Sequence, residues 1–84
     1  MARFLLRGRL ERGMFPDESV VVVTDFQGRI VSIVVPDTAI DRHEGSVEVR
    51  VLERNDDLAL VRLPGESFGP SVITVRDSDL KAAG

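Results

Sequence analysis

The sequence predicts an all-β domain, a small antiparallel six-stranded barrel, and three observations carry that expectation. Val47, Val49 and Val51 alternate with Glu48, Arg50 and Glu53, the period of a strand with one dry and one wet face. Glu53-Arg54-Asn55-Asp56-Asp57 is polar and rich in turn formers, and Leu58–Leu63 resumes the extended pattern until Pro64-Gly65 stops it, so Ser46–Leu63 reads as a hairpin. The remaining apolar runs are short, and the connections between them leave no room for crossover helices.

In chain order, Phe4, Leu6 and Leu10 share one parity while Arg3, Arg7 and Arg9 take the other, which predicts a first strand over Arg3–Leu10. Residues 12–18 form a turn region containing Gly13 and Pro16. Ser19–Asp25 is the second strand, and its unbroken Val20-Val21-Val22-Val23 suggests burial on both faces. Phe26-Gln27-Gly28 is a short connection in which Gly28 supplies a positive φ, and Arg29–Val35 is the third strand. Pro36–Gly45 suits either a single helical turn capped by Asp37 or an open loop. The hairpin supplies strands four and five, Pro64–Ser71 is a loop, and Val72–Val75 is the sixth strand. Ser78 is placed to cap a short turn through Asp79–Ala83. An open meander would expose two edges, and closure removes them, so an SH3-like barrel is the first expectation and an OB-like barrel the second. Hairpins 19–35 and 46–63 are similar in length but share no residue-level identity, so no internal repeat is expected.

A chain of 84 residues is read as one domain, 1–84, with a core that stabilises it by only a few kcal/mol. Cysteine is absent, so neither a disulfide nor a thiolate metal site supplements that core, and a cytoplasmic setting is expected. Arginines break the first seven residues too early for a signal peptide, and the longest apolar runs fall far short of the ~20 residues that span a bilayer. Net charge is −3, which disfavours a dedicated nucleic-acid binder, although Arg3, Arg7, Arg9 and Arg12 leave the first strand locally basic.

Catalytic chemistry finds few carriers. His43 is the only histidine and lies near Asp41 and Glu44, in a connecting segment. Glu53, Asn55, Asp56 and Asp57 gather oxygens without the spacing of a calcium loop, as a turn needs them anyway. Asp57-Leu58-Ala59-Leu60 resembles the Asp-Leu-Ala-Leu strand of trypsin-like serine proteases, in which the aspartate orients the catalytic histidine; here Ile33-Val34-Val35 stands where that histidine would be, and no Gly-Asp-Ser-Gly follows. Val34-Val35-Pro36-Asp37-Thr38-Ala39 resembles the apolar-apolar-Asp-Thr-Gly motif of retroviral-type aspartic proteases. That resemblance implies a homodimer with Asp37 as the catalytic aspartate and Thr38 as its supporting hydroxyl, with Ala39 in place of the motif's glycine.

The expectation is therefore a protein without catalytic, cofactor or metal residues, acting as a protein-interaction or self-association module. Phe15, Phe26 and Phe68, three of four phenylalanines, fall in connections and are candidate contacts. Arg3, Arg7 and Arg9, on the wet face of the first strand, are candidate contacts for an acidic partner. Nucleic-acid binding by a small barrel through these arginines with Arg12 and Arg29 is the alternative, and no membrane contact is expected.

Overall fold

A computed structural model of the chain describes residues 3–12, 17–41, 45–67 and 69–83. Its strands are β1 (Arg3–Arg7), β2 (Arg9–Arg12), β3 (Glu18–Thr24), β4 (Ile30–Pro36), β5 (Ile40–Asp41), β6 (Ser46–Asn55), β7 (Leu58–Arg62), β8 (Glu66–Ser67), β9 (Val72–Arg76) and β10 (Leu80–Ala83). Every ladder among the described residues is antiparallel, as expected for a meander. One sheet runs β10-β1-β6-β7-β9, with β5 also on β6; the second runs β2-β3-β4-β8. The sheets are not closed into a barrel, so neither barrel subtype is reached.

The predicted first strand is broken at Gly8, where a Cβ would lie 2.7 Å from Val21 Cγ1 and 3.1 Å from the Val22 carbonyl oxygen. Only glycine lets the chain turn there from one sheet into the other. The four valines of β3 are not buried on both faces: Ser19, Val21 and Val23 are buried, while Val20 and Val22 are half-buried. Among the described residues of Pro36–Gly45 there is a 3-10 turn, Asp37–Ala39, followed by β5, and its N-cap is Pro36, not Asp37. Ser78 likewise sits inside a 3-10 turn, Asp77–Asp79, and the frayed end expected after it is instead β10, held in register on β1.

The largest departure from expectation is an internal repeat. In the β3–β4 hairpin Ser19 pairs with Val35 and Val21 with Ile33; in the β7–β9 hairpin Ala59 pairs with Val75 and Val61 with Ile73, a constant displacement of 40 residues. Each hairpin is followed by an aspartate-led 3-10 turn, at Asp37 and at Asp77, and then by a strand that crosses to the other half. Ile40 and Asp41 pair with Val47 and Ser46; Leu80 and Lys81 pair with Leu6 and Leu5. The aspartate amides match as well: Asp37 N donates to Asp17 O at 3.3 Å, and Asp77 N to Asp57 O at 2.7 Å. The hairpin tips also cross reciprocally, with Glu66 paired to Val34 and Phe26 N donating to Thr74 O at 2.9 Å.

These correspondences make the molecule a pseudo-twofold pair of intertwined halves, with the Leu6–Val47 pair at the axis. Burial follows the symmetry. Val21 and Val61, Ile33 and Ile73, Val35 and Val75, and Leu6 and Val47 are all core residues. Burying such side chains contributes roughly 1.5–3 kcal/mol each, so neither half keeps its core without the other's strands.

Candidate functional site

The two halves are similar inside and different outside. Along β1, β6, β7 and β9 the buried residues share one parity, and the opposite parity forms the outer face of the larger sheet. That face carries Arg3, Arg7, Arg50, Arg62 and Arg76, with Lys81 beside Leu5 on β10, against the carboxylates Asp41, Glu48 and Glu53. A chain with net charge −3 thus presents one basic face. Half-buried Leu5, Leu60 and Val72 and the more exposed Leu58 lie among the charges, so the face is amphipathic.

Arg3, Arg50 and Arg62 form a row across three neighbouring strands. Phe4 pairs with Val49, which brings Arg3 alongside Arg50, and Arg50 pairs directly with Arg62. Arg3 is neutralised locally: its Nε donates to Glu48 Oε1 at 2.9 Å and its Nη2 to Glu48 Oε2. The hydrogen bond to Glu48 followed by its charge raises the Arg3 pKa, and the bond from Arg3 holds the Glu48 carboxyl below its ordinary value. Arg50 and Arg62 have no such partner among the described residues. They line a shallow cleft of about 300 Å³ together with Glu48, Val49, Leu63 and Pro64.

A twin cleft of about 290 Å³ lies at the corresponding place in the first half, lined by Arg7, Gly8, Arg9, Val22, Thr24, Ile30 and Asp79. Arg9 pairs with Val22 on β3 as Arg50 pairs with Arg62 on β7. Arg9 is ion-paired with Glu11 at 2.9 Å, and Ile30, 69% exposed, shares the rim with Arg7 and Asp79. Both clefts are lined by two arginines and one carboxylate; they differ in that Val22 stands in the first where Arg62 stands opposite Arg50 in the second.

Of the residues singled out from the sequence, Arg3 and Arg7 belong to the basic face, and Arg7 also lines the twin cleft with Arg9. Phe26 is 37% exposed at the tip of the β3–β4 hairpin, where Asp25 Oδ1 accepts from the amides of Gln27 (2.9 Å) and Arg29 (2.8 Å). Phe15, Phe68 and His43 lie outside the described residues, so convergence of the loop phenylalanines is not at issue in the structure. Nothing in the sequence marks Arg50, Arg62 or Arg76, because each is an ordinary wet-face residue of its own strand; only the pairing register brings Arg50 and Arg62 together.

Asp37 and Asp77, equivalent by the pseudo-twofold, are held differently. Asp37 Oδ1 accepts from Ser19 Oγ at 2.9 Å. Asp77 receives Arg54 Nε and Nη2, each at 2.9 Å, while the same guanidinium lies 5.1 Å from the Phe4 ring centroid. Among the described residues no group of three His, Cys, Asp or Glu side chains is placed to hold a metal ion. Nor is any helix there long and apolar enough to cross a membrane. In comparisons with known proteins, the chain matches no family model, and no curated protein and no solved structure is significantly similar to it.

Proposed function

We propose that the chain is a non-catalytic interaction module that engages an acidic protein segment through the outer face of its larger sheet. The observation that carries the reading is the concentration of Arg3, Arg7, Arg50, Arg62, Arg76 and Lys81 on one face of a chain whose net charge is −3. A field of one sign on an otherwise acidic molecule orients and accelerates encounter with a partner of the opposite sign.

An acidic polypeptide fits this face better than a nucleic acid. Glu48 and Glu53 lie among the cations, so a phosphate backbone, charged at every residue, meets repulsion there that a peptide alternating acidic and apolar residues avoids. The residues between the charges are Leu58, Leu60 and Val72, aliphatic side chains that suit alternating apolar and acidic residues and offer no ring for a base to stack on. Nucleic-acid binding remains the second reading, because the same cations would serve it.

The test is fluorescence anisotropy with a labelled acidic peptide, a basic peptide and a single-stranded DNA of matched length, from about 50 to 200 mM salt. The proposal predicts saturable binding of the acidic peptide and none of the basic one. Binding of the DNA alone, with a steep salt dependence, would transfer the face to the second reading.

A further inference from the structure

We infer that the cleft between Arg50 and Arg62 is a carboxylate-binding subsite for an extended acidic peptide, the point at which the basic face recognises its partner. The inference rests on the interaction-module reading and adds the location and the ligand chemistry.

Arg50 and Arg62 are directly opposed on β6 and β7. Cross-strand neighbours of this kind have Cβ atoms about 4.5–5.5 Å apart, and like charges so placed destabilise a sheet. Arg3, Arg9 and Arg54 are compensated by Glu48, Glu11 and Asp77, while Arg7 and Arg76, which have no carboxylate partner among the described residues, stand opposite Ser46 and Leu58 and not opposite another cation. Arg50 and Arg62 have no carboxylate among the described residues, and Glu48, which lines the same cleft, is engaged by both polar ends of Arg3. A departure from local consistency that nothing in the fold offsets is characteristic of a site built for an external ligand.

The twin cleft sharpens the point. Val22 occupies the place of Arg62 in the first half, on a strand with the same register, so the fold accepts an apolar residue there without rearrangement. Arg62 is therefore not a requirement of the scaffold at this position. Two guanidinium groups side by side present a fork of N–H donors that matches a carboxylate. Val49, Leu63 and Pro64 supply the apolar wall against which the stem of a Glu side chain rests. In an extended peptide alternate side chains point the same way, so one carboxylate enters the cleft while its neighbours face the remaining cations.

The experiment uses the full chain and a labelled peptide of alternating Glu and Val, about ten residues long. Arg62→Val, which installs the residue found in the twin cleft, and Arg50→Gln should each weaken binding about tenfold or more, the loss that goes with one charge-assisted hydrogen bond. Arg62→Lys should lose less, since it keeps the charge and forfeits the fork. Arg29→Gln removes an equal charge at the β3–β4 hairpin tip and should leave the affinity within about twofold of wild type. Circular dichroism confirms folding of each variant, and Arg50→Gln and Arg62→Lys decide the matter if Arg62→Val fails to fold. Cleft variants that bind like Arg29→Gln overturn the subsite while leaving the module reading intact. A wild-type chain that binds no acidic peptide at low salt overturns both.

Discussion

Arg50 stands directly opposite Arg62 across the β6–β7 ladder, and no carboxylate among the described residues neutralises either. This arrangement sets stability against binding. Arg62→Val should make the free protein more stable by about 0.2–1 kcal/mol, because the like-charge pair is removed and a β-branched residue is placed in a strand. Urea denaturation of the two proteins checks it through the midpoint at unchanged slope. A variant that gains stability while losing the peptide cannot have lost it by unfolding.

Gly65 marks the place where one half's loop crosses the other half's strand. A Cβ there would sit 2.1 Å from the Val34 carbonyl oxygen and 2.9 Å from Val35 Cγ1, at φ +69°. Gly65→Ala should therefore cost about 3 kcal/mol or more, enough to unfold much of a small domain. Gly28→Ala is the control, since its φ is +83° but nothing lies within 4 Å of the added methyl. It should cost only the left-handed backbone penalty of about 1–2 kcal/mol. Equal losses for the two variants would show that Gly65 does not make this close crossing.

The pseudo-twofold predicts tolerance of circular permutation. Arg3 pairs with Ala83, so the two ends of β1 and β10 lie side by side, just as Asp41 pairs with Ser46 around the connection between the halves. A permutant that begins at Gly45, joins Ala83 to Arg3 through a short glycine linker and ends at Asp41 should fold cooperatively with the same far-ultraviolet dichroism. A permutant opened at Gly65 should not, because that cut removes the crossing that holds β8 on β4. If the first fails and the second folds, the exchange of strands between halves is not what organises the domain.

The Arg3–Glu48 pair gives a small pH dependence of defined sign. The bond from Arg3 lowers the folded Glu48 pKa below its ordinary value of 4.5, so the native state favours the charged carboxylate. The associated stability is present above about pH 4.5 and is lost as pH falls through the lowered folded value. Both side chains are substantially exposed, so the effect is modest and screened by salt. Denaturation midpoints of wild type and Glu48→Gln, followed from about pH 6 down to pH 3, should converge at the acid end. A gap that stays constant would mean that Glu48 titrates alike in the folded and unfolded chains.

The strands were legible in the sequence because each has its own alternation: Val47, Val49 and Val51 on β6, and Ala59, Val61 and Leu63 along β7 and its end, all turn out to be buried or half-buried on the inner face. The repeat was not legible. Its identities are sparse, with Asp17 and Asp57, Val21 and Val61, Ile33 and Ile73, Val35 and Val75, and Asp37 and Asp77 spread over both halves. Setting hairpin 19–35 against hairpin 46–63 also places the frames wrongly, since the structural equivalent of β3–β4 is β7–β9. The short strands β5, β8 and β10 owe their conformation to the edges they join in the other half, which no local pattern announces. The same holds for the candidate site. Arginine on a wet face is unremarkable in any one strand, and the Arg50–Arg62 opposition exists only once a bulge between Val51 and Glu53 has fixed the register.

The cleft between Arg50 and Arg62, and not the twin cleft lined by Arg7 and Arg9, is the one expected to receive an acidic ligand. The most direct measurement is a nuclear magnetic resonance titration of the isotopically labelled chain with the alternating Glu–Val peptide, following the arginine side-chain Nε–H signals. Saturable shifts are expected at Arg50 and Arg62, with Arg9 and Arg29 little changed. Shifts centred on Arg9 and Ile30, or spread evenly over all arginines, would contradict that assignment.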